Sequence, residues 1–498
     1  MSIPAPGSKT SQLLEIVSAI PDGEIEPKGF VVANDSDAKR AYMLVHQLRR
    51  LNSPAAFVTA KDAQFWPLVL RGENVTDEER AQEGMFDRVL CDVPCSGDGT
   101  ARKNPGIWKH WSASAAHSLH PLQISICLNG ARLTKVGGYV CYSTCSMNPI
   151  ENEAVVAEIL RASDGSLELV DKRPDLTGII ARPGWSNWKV MGESQSRKIQ
   201  KNNQKKKNAK MMKRRKEWEE KEKLENEGKG DVTMEENNGK NTETEDKETK
   251  EDTEAETVED VWEPIPPSWD EETLQKRAVS RGLIEYKTPE DVPFVSKGHI
   301  KNSCFPPTPE EAEKFKLERC LRCLPHDLDT GGFFVALLKK VSPMSARARK
   351  KADELANAVA SKLDHTTSKK TVDGNAKVEE TKTNADGAES ESKPDGATGE
   401  KEAEPKKNKR RYGFDNSESF IAADEDVFTP LIDFYGFTAD LQQGQFMARQ
   451  GGNAKILYFI TKSVKKNLID RGVQDRVQVI NSGLRAFERR NKEDCVAQ

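Results

Sequence analysis

No apolar run in this chain approaches the roughly 20 residues needed to cross a bilayer; FFVALL, from Phe333 to Leu338, is among the longest. A membrane segment is therefore not expected. Nor does an apolar leader follow Met1, so the nine cysteines of the 498-residue chain read as free thiols of a reducing compartment rather than a disulfide framework. Hydrophobic residues make up only 36% against 31% charged, and the mean hydropathy is -0.72. A chain this polar cannot bury a core along its whole length, so part of it is expected to stay solvated.

The polarity is concentrated in two places. Residues 194 to 216 are basic without an acid, and 217 to 260 are dominated by Glu, Asp and Lys; a second stretch of the same character runs from about Ser342 to Arg411 and ends in KKNKRR. Such segments cannot offset their ordering entropy. The formal net charge of -4 hides this segregation. The expected organisation is a core at 1-190, a charged disordered insertion at 191-260, a return to the same domain at 261-341, a disordered linker at 342-411 and a C-terminal unit at 412-490.

In the first segment, FVVAND (Phe30 to Asp35), AAFVTA (Ala55 to Ala60), FDRVLCDVP (Phe86 to Pro94) and GGYVCYSTC (Gly137 to Cys145) are near-continuous apolar runs. Helical patterns lie between them, SDAKRAYMLVHQLRRL after the first and SASAAHSLHPLQISICLNGARLTKV before the last. This alternation predicts a doubly wound α/β domain with a parallel sheet, to which GFFVALLKK adds a strand. Ligands of such sheets bind beyond the carboxyl ends of the strands. There stand Asp35, Asp62, Asp92, Cys95 and Cys145, while APGSKT (Ala5 to Thr10) reads as a glycine loop opening a helix. Each acid alone could be a turn or cap residue; their agreement at four strand ends points to a site.

Cys145 is followed by Asn148, Pro149 and Glu151, which predict an N-cap, a first helical position and a capping box. A helix starting there would favour the thiolate at Cys145 over its usual pKa of about 8.5. Against a reactive thiol stand two blander readings. One is inert packing of a strand-end cysteine. The other is structural zinc, because Cys91 and Cys95, Cys141 and Cys145, and Cys320 and Cys323 form three close pairs. Cys91 and Cys141 lie inside apolar strands, and CLRC falls in an expected helix, EEAEKFKLERCLRC, so no metal is expected.

DVPCSGDGT and YSTCSMNPIENEAVV resemble the two cysteine motifs of the Sun-domain RNA (cytosine-5)-methyltransferases, and APGSKTSQLLE resembles their S-adenosylmethionine loop. VVANDSDAKRAYMLVHQLRRLNSP, ARKNPGIWKHW and LERCLRCLPHDLDTGGFFVALLKK are similar to the eukaryotic Misu-like transfer-RNA branch, with fainter likeness in LYFITKSVKKNLI and VQVINSGLRAFERR. The resemblance implies a Rossmann-like S-adenosylmethionine-dependent methyltransferase with a small C-terminal PUA-like domain that binds RNA through cations such as Lys462, Lys465, Lys466, Arg489 and Arg490. It implies that Cys145 attacks carbon 6 of cytosine, that Cys95 helps release the product and that Asp92 acts at ring nitrogen 3. Ala5, Pro6, Gly7, Ser8, Lys9, Asp35, Asp62 and Asp92 would line the cofactor site, with Asp35 on the ribose and Asp62 at the adenine end. Arg102, Lys103, Trp108, Lys109 and Trp111 would face the RNA strand, although packed tryptophans and solvated charges are the blander reading.

The implied substrate is transfer RNA. The runs KKKNAKMMKRRK and KKNKRR imply a nuclear, including nucleolar, address unless they are only RNA-attracting tails. The family's first strand, which precedes the glycine loop, has no counterpart before Ala5; the expectation is an N-terminally shortened form whose sheet lacks a central strand and binds S-adenosylmethionine weakly or not at all. The alternative is a non-catalytic RNA-binding or zinc-stabilised protein that keeps a methyltransferase-like shell.

Overall fold

The structure, a computed structural model, describes residues 7–69 except 21 and 23, 84–194, 270–372 except 281, 294, 295, 297 and 298, 419–489 except 438–440, 442 and 451–455, and 495–497. Two compact units divide it, one made of Met1–Trp188 with Val292–Gln498 and the other of Lys189–Asp291.

The larger unit carries the expected strands. β1 (Val31–Asp35) runs parallel to β2 (Ala56–Ala60), with Val31 opposite Ala56 and Asp35 opposite Ala60. β3 (Phe86–Asp92) runs parallel to β4 (Thr134–Thr144), with Asp92 opposite Ser143. Helices cover these strands. α1 (Ser8–Val17) and α2 (Ala38–Leu48) bury Leu14, Ala41, Leu44, Val45 and Leu48 against Val31, Ala33, Val58 and Ile480. Asp37 caps α2 by accepting from the Lys39 amide, as the sequence SDAK suggests. α3 (Ala113–Leu133) packs on β3 and β4. Continuous apolar strands between helices are what a parallel sheet requires.

The remaining strands depart from simple parallel winding. β10 (Phe333–Lys340) is antiparallel to β4, Phe334 facing Thr144, and also pairs with β5 (Leu167–Leu169) and β9 (Leu321–Cys323). β9 in turn pairs with β6 (Arg182–Pro183). Among the described residues no strand pairing joins β1 to β3. Among those residues β1, β2 and β14 (Gln478–Ser482) form one set of paired strands, and β3 and β4 belong to a separate set. The ring of Phe86 nonetheless lies 6.4 Å from that of Phe30 and 5.5 Å from that of Trp66, carrying aromatic packing between the two sets.

Four expectations need correction. The stretch CLRC is not helical: the helix Pro309–Phe315 stops at Lys316, whose φ of 54° is left-handed, and Leu321–Cys323 is strand β9. Residues 346–372 of the supposed linker are a helix, α5 (Ala346–Val372), which buries Ala348, Ala352 and Ala356 and is tied by Arg132 to Asp353 and by Lys351 to Glu158. Alanines four residues apart give it a narrow face that fits against a neighbouring helix. The segment from 270 to 291 does not extend the sheet of the larger unit but belongs to the smaller unit, where β7 (Val190–Glu193) and β8 (Leu283–Tyr286) pair antiparallel. Finally, the expected C-terminal domain lends one strand to the sheet of the α/β domain. Its five-stranded antiparallel sheet, β11 (Phe420–Ala422), β12 (Phe446–Arg449), β13 (Ile456–Phe459), β15 (Leu484–Arg489) and β16 (Cys495–Ala497), packs on α6 (Glu425–Tyr435), but β14 (Gln478–Ser482) leaves it to pair with β2. That pairing covers an edge that would otherwise present open hydrogen-bonding groups. Most of the expected insertion and the rest of the expected linker, 195–269 and 373–418, lie outside the described residues. No described helix is long and apolar enough to cross a membrane.

Candidate active site

Register brings the two cysteine motifs together. Because Asp92 and Ser143 are opposed at the ends of parallel neighbours, the loops after β3 and β4 start level, three residues before Cys95 and two before Cys145. The thiols meet with Sγ atoms 3.3 Å apart. Backbone contacts lock the loops to one another: the Gly99 amide donates to the Cys145 carbonyl at 2.9 Å and the Gly332 amide to the Gly99 carbonyl at 2.7 Å. A Cβ at Gly99 would lie 2.7 Å from both the Cys145 and Gly332 carbonyl oxygens, so only glycine fits. Asp98 adds a bridge, accepting from the Met147 amide at 2.6 Å and from Trp111 Nε1 at 3.4 Å.

The contact couples the two thiols. The hydrogen bond with Cys95 holds the Cys145 thiol below its ordinary value, against the opposing effect of burial. The same contact, reinforced by burial, pushes Cys95 far above the ordinary range. Of the two, Cys145 is thus the more acidic thiol and Cys95 the less acidic. The expected cause, a helix N-terminus, is corrected. Helix α4 begins only at Glu153 (Glu153–Ala162), after Asn152, which makes no side-chain cap. Asn148 instead receives the Ile150 amide in a local turn, and Glu151 does not complete a capping box because its carboxylate is occupied by Ser96 and Ser146.

The acids separate into different roles. Asp92, 8% exposed, receives Lys9 Nζ at 2.5 Å and Ser143 Oγ at 3.1 Å, so the glycine loop and the third strand end form one ionic contact. Asp35 is buried at the end of β1, where burial raises its pKa against the pull of the Asp37 amide and of Arg40, 3.2 Å away. Asp62 caps the short turn Ala63–Phe65 through the Gln64 amide. Gly7 opens α1 in the left-handed region at φ 90° and offers no side-chain cap, while Ser8 is exposed. Ala5 and Pro6 lie outside the described residues.

These residues fit S-adenosylmethionine by their chemistry. Thr10 Oγ1, buried in the first turn of α1, has no hydrogen-bond partner among the described residues. With an uncapped helix N-terminus and carboxylates at the ends of β1 and β3, the donor set matches a ligand carrying an amino-acid group, a ribose and a positive sulfur.

Several residues that shape the site were not singled out by sequence reasoning. Arg322, 1% exposed, forms a bidentate pair with Glu153, both contacts at 2.5 Å, donates to the Met147 carbonyl at 3.0 Å and lies 4.0 Å from the Trp185 ring centre. His120 joins the Ile150 carbonyl, at 2.6 Å, to Ser303 Oγ, at 2.9 Å. A signal existed for Ser96 and Ser146, since each directly follows a motif cysteine. Of the proposed strand-binding residues, Arg102 pairs with Asp329 and the Pro325 carbonyl, Trp111 with Asp98, and Lys103, Trp108 and Lys109 are exposed. Lys462 and Lys466 are exposed and Lys465 pairs with Asp470; Arg490 lies outside the described residues, as does the side chain of Arg489. Among the described residues no group of three or more His, Cys, Asp or Glu side chains could hold a metal ion.

A glycine-opened helix, strand-end carboxylates and a thiol pair on an α/β sheet define a methyltransferase-type domain. Residues 2–178 match the family described as 16S rRNA methyltransferase RsmB/F, and residues 418–498 match the NSUN2 Pre-PUA domain. The chain is 32% identical to the multisite-specific tRNA:(cytosine-C(5))-methyltransferase trm4b of Schizosaccharomyces pombe, over 97% of this chain and 56% of that protein. It is 31% identical to the tRNA (cytosine(34)-C(5))-methyltransferase of Drosophila melanogaster, over 97% and 50%, and 32% identical to the multisite-specific tRNA:(cytosine-C(5))-methyltransferase of Saccharomyces cerevisiae, over 99% and 53%. The chain thus spans about half the length of these curated relatives.

Proposed function

We propose that this chain carries the catalytic thiols of an S-adenosylmethionine-dependent RNA cytosine-5 methyltransferase acting on transfer RNA. The observation that carries the reading is the 3.3 Å contact between Cys95 and Cys145 beside the buried Asp92. The names of the relatives support the substrate class.

Carbon 5 of cytosine is a poor nucleophile, and a thiolate adding to carbon 6 corrects this by pushing the ring's double-bond pair onto carbon 5. Cys145, the more acidic thiol of the pair, forms that bond as its thiolate. Asp92 serves ring nitrogen 3, where charge develops during the addition. The bound cofactor supplies an electrophilic methyl group on a sulfonium. Gly7, Ser8, Lys9, Asp35 and Asp62 hold and orient it, while the target base is turned out of its stack to reach the sulfur.

The coupled thiols also order the second half of the reaction. While Cys145 is a thiolate, its charge keeps the proton on Cys95. Once Cys145 is bonded to carbon 6 its sulfur is a neutral thioether, and the hydrogen bond to the thiolate, the largest cause of the raised Cys95 pKa, is lost together with the charge. Cys95 can then lose its proton to solvent and, as a base, take the proton from carbon 5. The electron pair left behind restores the ring double bond and expels Cys145 as thiolate. The second thiol thus becomes a base only after the first has been spent.

Incubation with transfer-RNA transcripts and S-adenosylmethionine, followed by bisulfite sequencing, is expected to yield protected cytosines that disappear in Cys145→Ala. Absence of protection with the unaltered chain counts against the reading. A nuclear address belongs to the same proposal and is supported by the basic runs at 205–216 and 406–411, which lie outside the described residues. Fluorescent fusions with both runs deleted should leave the nucleus.

A further inference from the structure

Each of the two motif cysteines is followed by a serine, and the two serines converge on one carboxylate. Glu151 is 0% exposed. It accepts from the Ser96 amide at 2.9 Å and Ser96 Oγ at 2.5 Å, both in the loop after β3, and from Ser146 Oγ at 2.6 Å in the loop after β4. Gln123 of α3 donates to the same carboxylate at 3.1 Å and to the Pro94 carbonyl at 2.9 Å, one residue before Cys95. The backbone of Glu151 is fixed as well, because its carbonyl accepts from the Tyr142 hydroxyl on β4 at 2.5 Å.

An ordinary helix cap would not be built this way. The carboxylate is three residues from Asn148, yet it turns away from the local backbone and takes donors from three separate elements. A buried carboxylate is tolerated only when its oxygens are well supplied with hydrogen bonds, and here the donors are the immediate neighbours of both thiols. Loss of the carboxylate would leave Ser96 and Ser146 without their shared acceptor, so that beside the cysteines only their direct contact at 3.2 Å would remain, the loops being joined otherwise further on, at Gly99 and Asp98.

We infer that Glu151 is a positioning residue whose carboxylate fastens the Cys95 loop to the Cys145 loop and thereby keeps the two thiols in hydrogen-bonding contact. Naming Cys145 as the attacking sulfur rests on the function proposed above; the fastening itself does not. The titratable groups acting on Cys145 are Cys95, whose contact lowers its pKa, and the carboxylates of Asp92 and Glu151, whose charges raise it; Asp92 is paired with Lys9. Losing the Cys95 contact removes the largest influence favouring the thiolate.

The test needs neither RNA nor cofactor. In the purified full-length chain, the rate of Cys145 alkylation by iodoacetamide is followed by peptide mass spectrometry between about pH 6 and pH 10, the range that brackets an ordinary thiol. In Glu151→Ala the loss of the Cys95 contact, the largest influence, should outweigh the loss of the carboxylate charge, so the alkylation midpoint should rise and the rate near neutrality should fall about tenfold, the consequence of a shift of about one pH unit. Glu151→Gln keeps the reach and can still bridge both serine hydroxyls, and should remain within about threefold of the parent. If Glu151→Ala does not fold, the double variant Ser96→Ala with Ser146→Ala removes the fastening from the other side and should show the same rise. An unchanged Cys145 midpoint in whichever of these two is folded would overturn the inference, since a merely structural role alters the folded fraction and not the titration of the folded molecules. A parent chain that shows the coupled thiol but methylates no RNA would sink the proposed function and leave this inference standing.

Discussion

His120 is fully buried in α3, and its ring carries a proton only at the expense of leaving water. Burial lowers its pKa to about 4, even though the Ile150 carbonyl favours the charged form. The unfolded chain takes up this proton near pH 6.5. The contribution to stability is therefore fully present above about pH 6.5 and is lost as the pH falls towards 4, by at most roughly 3 kcal/mol. Urea unfolding at a series of pH values should show a shallower acid loss in His120→Gln than in the parent; equal slopes would mean that the buried ring does not titrate on unfolding. The same physics, acting on a closer pair, sets the thiols. Cys145 and Cys95 move in opposite directions because a hydrogen bond couples them, and no property of either residue in isolation predicts which thiol is the more acidic. The residue types at the strand ends were legible in the sequence, but their partners were not: Lys9 and Asp92 are 83 positions apart, and Ser96 and Glu151 are 55 apart.

At the scale of elements, the loop after β4 is held by an ion pair that reaches across the sequence. Arg322 of β9 meets Glu153 at the start of α4 with almost no solvent access on either side, and also supports the Met147 carbonyl. Removing one partner strands the other charge in the interior, so Arg322→Ala should cost about 3–5 kcal/mol by denaturant unfolding. Replacing both, Arg322→Met with Glu153→Leu, should cost clearly less; a double variant as weak as the single would show that packing around Trp185, and not charge burial, dominates. The strands β1 to β4 and helices α2 and α3 could be read directly, because continuous apolar runs and helical periodicity report on burial that local sequence controls. What failed were the places where tertiary contact overrules local preference. CLRC became a strand because Lys316 ends the preceding helix, and Glu151 left its capping box because Ser96 and Ser146 lie within reach. The helix at 346–372 hid in a highly charged stretch because only its alanine face is buried.

At the scale of the whole molecule, no strand pairing among the described residues joins β1 to β3, and β14 covers the far edge of β2, so the C-terminal segment contributes a strand to the α/β sheet. The site that matters most lies on one side of that gap in pairing: Asp92, Cys95, Cys145 and Glu151 are all placed by β3, β4 and the elements packed on them. Chemistry at the thiols can therefore be examined separately from cofactor affinity, which also needs α1 and β1. The central claim is that the two thiols have ordered roles, Cys145 bonding to the base and Cys95 releasing it. The most direct measurement is denaturing gel electrophoresis of Cys95→Ala, Cys145→Ala and the parent chain after incubation with labelled transfer RNA and S-adenosylmethionine. The account predicts a slow-migrating covalent RNA–protein band that accumulates in Cys95→Ala, is absent in Cys145→Ala and is faint or absent in the parent; accumulation in Cys145→Ala instead, with none in Cys95→Ala, would contradict it.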